Sequence, residues 1–333
     1  SPRDGLQNEQ GVIPTPAKVE LVRLLCAAGV DEVEITSFVS PRWVPQLGDA
    51  ADVLLASARF KPPTTVFSAL VPNEKGLDAL LDVNQRAAPA LAAQLAQALG
   101  VAGGAAAAGA DGTDAASPPP LVNKASVFTA ASETFSRKNT NATIAETLER
   151  FAPVVARAHD AGLTVRGYVS CVIACPFEGP VAPRAVVDVS RRLLDLGVDE
   201  LDLGDTIGAA TPDTTRALLA AVLDAFGAGV LDRLVLHLHD TFGRAASCAR
   251  AALERGVRSF DGSVAGLGGC PYASTPGHRA PGNISTETLV DTIDAFGGVT
   301  AIQKDALRAA AEHARAVVSA AAAGVSLRGE VPS

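Results

Sequence analysis

Short apolar runs alternate with amphipathic stretches of helical length along this chain, and few folds accommodate that rhythm. Segments 30–39, 64–71, 125–130, 165–172, 199–203, 234–239 and 259–264 have the β-branched and apolar content of buried strands. Segments 16–28, 50–59, 144–161, 184–196, 212–226, 244–255, 286–296 and 306–323 read as helices between and after them. Pro16 and Pro212 stand where helices begin, and Gly29, Gly162, Gly197 and Gly256 stand where they stop. Alternation of this kind predicts a parallel sheet with helices outside it, an α/β class. Seven strands, plus one that would end at Ser1, match the count of a (β/α)8 TIM barrel over residues 1–333. The runner-up is a doubly wound open sheet, but no GxGxxG follows a strand and opens a helix. Ser1 lies inside a motif and is not Met, so the expectation is a truncated N-terminus and first strand, with any targeting segment unobservable.

Polar residues fall where a barrel enzyme places them, at the C-terminal ends of strands: Arg3-Asp4, Glu34, Asp205, His237 and His239. The pair His237-Leu238-His239 closes the run Leu234-Val235-Leu236, and residues i and i+2 of a strand share a face. Two imidazoles converging from one strand end form half of a metal site. The segment SPRDGLQNE reads as a turn supplying one cation and one oxygen ligand, and GLGGCPY (266–272) as a Gly-rich loop presenting one thiol. Each has a plainer alternative. The two His residues could be a hydrogen-bonded core pair, Glu34 and Asp205 could be helix caps or ion-pair partners, and Arg3 could bridge to Glu34.

The formal charge of −8 without long runs of one sign argues against a nucleic-acid groove or an anionic membrane surface as partner. No apolar stretch is long enough to span a membrane. Five cysteines at irregular spacings make no disulfide framework, and Cys171 and Cys175 read as packing residues. Residues 87–122 collapse to Ala, Gly, Gln and Pro, and read as a low-complexity, disordered insertion before the fourth strand.

The ordered blocks SPRDGLQNE, TSFVSPRWVPQLGDA (36–50), AASETFSRKN (130–139), RGYVSC (166–171), LGDTIG (203–208), HLHDT and SVAGLGGCPY (263–272) resemble the 3-hydroxy-3-methylglutaryl-CoA lyase family. The resemblance covers residues 1 to about 296 except the insertion, and the GGCPY loop favours the lyases over the Claisen-type synthases. It implies a (β/α)8 barrel, a Mg²⁺ or Mn²⁺ ion, and cleavage of the acyl-CoA substrate to acetyl-CoA and acetoacetate in leucine degradation and ketone-body formation. Asp4, His237, His239 and Asn283 would be the metal ligands, and Arg3 and Cys270 would be catalytic. The implied setting is a homodimer, in the mitochondrial matrix of a eukaryote or the cytoplasm of a bacterium.

The implied retro-Claisen chemistry has needs that these residue types meet. A divalent ion stabilises an alkoxide. Arg3 offers a cation to the enolate oxygen, and Cys270 can protonate the enolate carbon. His237 is the first candidate to take the hydroxyl proton and Asp4 the second. Glu34 and Asp205 are expected behind the ligands or in proton relay, with Tyr168 and Gln7 as substrate contacts. Three alternatives stay open: a lyase for a longer-branched 3-hydroxyacyl-CoA, a Claisen-type synthase, or a catalytically inactive barrel serving as a scaffold.

Overall fold

Parallel strands cannot be joined by tight turns, so the chain returns through a helix between one strand and the next. The computed structural model describes residues 1–9, 11–98, 119–268 and 282–324. The order is α1 (Pro2–Gln7), α2 (Thr15–Ala27), β1 (Glu32–Ser37), α3 (Ala50–Ser57), β2 (Val66–Leu70) and α4 (Glu74–Ala98). Then come β3 (Lys124–Ala130), α5 (Glu133–Thr140), α6 (Ile144–Asp160) and β4 (Thr164–Ser170). A small antiparallel ribbon follows, β5 (Ala174–Cys175) with β6 (Gly179–Pro180), before α7 (Pro183–Asp195) and β7 (Glu200–Asp205). The chain continues through α8 (Pro212–Phe226), β8 (Leu234–Leu238), α9 (Ala245–Glu254) and β9 (Ser259–Asp261) to α10 (Thr286–Phe296) and α11 (Lys304–Ala322).

The strands pair in parallel in the order β1-β2-β3-β4-β7-β8-β9, a seven-stranded α/β-barrel sheet in chain order. All seven expected strands form. Among the described residues nothing forms the eighth, expected to end at Ser1; Ser1 instead caps α1, its hydroxyl accepting from Asp4 N. Ser1 also spans the two edge strands, its nitrogen donating to Gly262 O at 2.8 Å and its hydroxyl to Glu34 O at 3.1 Å. Among the described residues, no helix is long and apolar enough to cross a membrane.

The helices pack on the sheet through periodic stripes. In α6 these are Ile144, Leu148, Phe151, Val154, Val155 and Ala158, behind a capping box of Thr143 and Glu146. Three helices escaped the sequence reading, α1, α4 and α5. α5 is short and strongly polar, and α4 carries its buried face on Leu77, Leu80, Val83 and Ala87 before running through Pro89. That helix corrects the boundaries of the expected insertion: 87–98 is helical, and Leu121 and Val122 are fully buried. Residues 99–118 lie outside the described residues. The N-terminal motif is likewise a helix and not a turn.

At the N-terminal ends of the strands the barrel interior is charged. Lys124 reaches Glu32 at 2.6 Å and Glu200 at 2.7 Å, and Arg166 reaches the same two carboxylates at 2.8 and 2.9 Å. Four long side chains from β1, β3, β4 and β7 thus interlock at the end of the sheet opposite the His pair. Each buried charge has partners, as a low-dielectric interior demands.

Phe151 lies at the centre of the α6 face and is almost wholly buried. Phe151→Ala is expected to lower unfolding stability by about 3–5 kcal/mol, from lost burial and an unfilled cavity. Urea melts of the two proteins measure it, and a loss below ~1 kcal/mol would contradict this packing.

Candidate active site

β8 delivers the His pair. His237 is its fourth residue, in register with Gly204 of β7 on one side and Asp261 of β9 on the other. His239 follows the strand by one residue. There the backbone of 282–284 lies alongside, Ile284 N donating to Leu238 O and Asp240 N to Gly282 O, both at 2.8 Å. This pairing sets Asn283 opposite His239. Asp4 arrives from α1. A Cβ on Gly5 would sit 2.4 Å from the Ser263 hydroxyl, and one on Gly268 2.5 Å from the Asn283 amide nitrogen. Only glycine lets α1 and the segment after β9 approach so closely, and Gly268 also adopts φ +90°.

The donor atoms of Asp4, His237 and His239 lie within 4.8 Å of one another. The two Nε2 atoms are 3.1 Å apart, and Asp4 Oδ2 is 4.0 Å from His237 Nε2. Asn283 Nδ2 donates to Asp4 Oδ2 at 2.5 Å and to Leu267 O at 3.0 Å. Its Oδ1 and the Nδ1 of His239 are buried without a hydrogen-bond partner among the described residues. An orphaned carboxamide oxygen beside a carboxylate and two imidazoles fits a divalent ion that prefers oxygen with some nitrogen, as Mg²⁺ and Mn²⁺ do.

Charge around this cluster is tightly organised. Arg3 is buried and its fork is largely committed: Nε and Nη2 each lie 2.7 Å from Glu34 Oε2, and Nη1 lies 2.9 Å from Asp4 Oδ1. Burial pushes the Asp4 carboxyl up, but Arg3, His237, His239 and the Asn283 amide together hold it well below the usual carboxylate range. Burial alone would lower His237; Asp261, Asp4 and Asp202 outweigh it and raise the imidazole to about 10. Burial and the neighbouring His237 charge pull His239 down to about 4.

Several sequence-predicted residues converge here: Arg3, Asp4, Glu34, His237, His239 and Asn283. Tyr168 joins them, its ring 5.5 Å beneath the Arg3 guanidinium and its hydroxyl buried without a partner among the described residues. Glu34 corrects its predicted place at a strand end. It is the third residue of β1 and points inward, where it braces Arg3. Asp205 does end β7, but its carboxylate accepts from Ala209 N at 3.0 Å and Ala210 N at 2.9 Å, so it shapes the following loop. Burial pushes it up to about 6 against those two bonds. Gln7 closes α1 and lines a cleft with Trp43 and Gln46. Cys270 lies outside the described residues, as do Gln10 and His278. Cys171 and Cys175 are buried beside Ala130 and Phe135, as expected of packing thiols.

Sequence reasoning missed Asp261, Asp202 and Arg166. Asp261 Oδ1 accepts from His237 Nδ1 at 2.8 Å. Asp202 is wholly buried in β7 with both oxygens unpartnered among the described residues, 3.7 Å from Arg166. A signal existed for Asp261, a carboxylate closing the strand next to the His strand, but only strand order makes it visible.

The HMGL-like family profile matches residues 1–314. The chain belongs to the HMGL-like family. The mitochondrial hydroxymethylglutaryl-CoA lyase of Bos taurus is 41% identical over 296 residues, 89% of this chain and 77% of that protein. The crystal structure of the HMG-CoA lyase from Brucella melitensis is 40% identical, with a TM-score of 0.79 and 96% of each chain covered. An HMG-CoA lyase from Acinetobacter baumannii, solved with coenzyme A and 3-methylmalate, is 29% identical with a TM-score of 0.77, covering 100% of this chain and 96% of that one. For an HMGL-like chain, the cluster at the end of β8 is the natural place for chemistry, since barrel sites gather at the C-terminal ends of strands.

His237 holds a proton near neutral pH in the ion-free state, because its folded pKa lies at about 10. A metal ion needs the neutral ring, so binding must expel that proton. Affinity for Mg²⁺ is therefore expected to rise about tenfold per pH unit between pH 7 and 9 and to level off above about 10. Calorimetric titrations at pH 7 and 8 check the slope, and equal dissociation constants would exclude it.

Proposed function

We propose that this HMGL-like lyase cleaves 3-hydroxy-3-methylglutaryl-CoA to acetyl-CoA and acetoacetate. The observation that carries the proposal is the convergence of Asp4, His237, His239 and Asn283 beside a buried Arg3, with a ligand-type oxygen of Asn283 left unpartnered among the described residues. A divalent ion held by those four residues would supply Lewis-acid polarisation of substrate oxygens. Mg²⁺ and Mn²⁺ are the ions we assign.

The protein's own part begins with Arg3. Glu34 and Asp4 consume part of its fork, and a guanidinium has five N–H donors, so donors remain to face the oxygen on which enolate charge collects. Both carboxylates also fix the plane of the guanidinium, so no reorganisation is needed when charge develops. His237 is the stronger base for the C3 hydroxyl proton, since Asp4 is held below the carboxylate range. Its Nδ1 is committed to Asp261 and Nε2 is the atom an ion would take, so His237 would accept the proton only with Nε2 free of the ion.

Cys270 is our candidate to protonate the enolate carbon. Support comes from Gly268, which lies against Asp4 and Asn283, while the covalent chain keeps residue 270 within about 7 Å of it. Tyr168 is proposed to meet a substrate oxygen through its unpaired hydroxyl, Gln7 to touch the substrate, and Glu34 and Asp205 to act through their neighbours. Coenzyme A bound to the Acinetobacter baumannii lyase supports an acyl-CoA partner. A homodimer, and residence in the mitochondrial matrix of a eukaryote or the cytoplasm of a bacterium, belong to the same proposal. The mitochondrial bovine relative and the bacterial ones support the compartments.

Acetoacetate release from 3-hydroxy-3-methylglutaryl-CoA tests this reading. Release is expected with Mg²⁺ or Mn²⁺, should stop with EDTA, and should collapse in Cys270→Ala. Arg3→Lys keeps the charge and loses the planar fork, so kcat should fall by about 10²–10³. No release from folded, metal-loaded protein sinks the assignment and points to another 3-hydroxyacyl-CoA, a synthase or a scaffold.

A further inference from the structure

We propose that Asp261 is a positioning residue that sets the tautomer and ring orientation of the metal ligand His237. The inference rests on the metal centre of the preceding reading and goes beyond its ligand set.

His237 and Asp261 are register partners on β8 and β9, so backbone pairing places their side chains side by side within the barrel. The contact is 2.8 Å between Nδ1 and Oδ1. An ionised carboxylate only accepts, so Nδ1 must carry the hydrogen. In the neutral ring Nε2 is then left with the lone pair, and Nε2 is the atom that faces His239 Nε2 at 3.1 Å and Asp4 Oδ2 at 4.0 Å. Any other tautomer would put a hydrogen where an ion must sit. Metal-binding imidazoles commonly need such a partner on the far nitrogen.

Asp261 is itself held in place. A Cβ on the following Gly262 would lie 2.7 Å from Ile284 O, so the backbone after β9 is pressed against the strand-like segment that carries Asn283. Gly262 O also accepts from the Ser1 nitrogen, beside the helix that carries Asp4. The residue that orients one ligand therefore sits where the supports of two others meet. His239 has no such brace, since its Nδ1 has no partner among the described residues. Among the described residues, orientation by a carboxylate is thus specific to His237 within the pair.

Charge and orientation must be separated, because a carboxylate also favours the protonated ring. Asp261→Asn and Asp261→Ala both remove the charge, but only Asn keeps an oxygen to accept from Nδ1–H. Mn²⁺ binding is read by electron paramagnetic resonance of the free ion, at one pH and without substrate, with thermal melts to verify folding. Asp261→Asn is expected to bind Mn²⁺ about 10–100-fold more tightly than Asp261→Ala. Equal affinities in two folded variants would overturn the role. If Asp261→Ala does not fold, imidazole ¹⁵N–¹H spectra of the unaltered, Mg²⁺-loaded protein decide: a proton on His237 Nδ1 supports the proposal, and one on Nε2 overturns it. Failure of the unaltered protein to bind Mn²⁺ would remove the metal centre itself and the inference with it.

Discussion

The buried guanidinium of Arg3 is the contact on which the site depends. It lies between Glu34 of β1 and Asp4 of its own helix, with two short bonds to one carboxylate and one to the other. Without it, Glu34 would lose its ion-pair partner in the interior, at a cost of several kcal/mol, and Asp4 would keep only the Asn283 amide and the imidazoles beside it. With it, α1 is anchored to the sheet and Asp4 stays ionised. Neither stability nor catalysis alone accounts for the arrangement, because the same bonds that neutralise Glu34 hold the fork in one plane.

Around that contact the barrel separates two kinds of charge. At the N-terminal ends of the strands, Lys124 and Arg166 are locked to Glu32 and Glu200. At the C-terminal ends, His239 and Asn283 keep buried polar atoms without partners among the described residues. A satisfied end is structural and an unsatisfied end is available for a ligand, in keeping with how barrels divide stability from function. His237 shows the tension most clearly. Three surrounding carboxylates make it basic, while its only free lone pair is also the one an ion would use.

Strand neighbours, not chain neighbours, assemble the site. Asp261 and His237 are 24 residues apart and meet because β8 and β9 pair in register. Asn283 and Asp4 are separated by 279 residues and meet because the backbone at 282–284 joins the end of β8 while two glycines let α1 press in. The chemistry is therefore sensitive to small backbone shifts at places that carry no reactive group.

Local pattern determined what local physics can determine. Apolar runs, proline starts and glycine stops placed all seven strands of the parallel sheet and most helices, because burial periodicity is written residue by residue. The His-x-His spacing was legible for the same reason, since a strand puts i and i+2 on one face. α4 stayed hidden because its stripe runs into an Ala-rich stretch that looks featureless until a sheet lies against it. Asn283 stood out only by resemblance, as nothing in GN announces a role. Tertiary structure alone decided that Glu34 braces Arg3, that Asp205 serves its own loop, and that Asp261 and Asp202 line the His strand. These are statements about which strand lies beside which, and pairing order is a long-range property that no window of sequence contains.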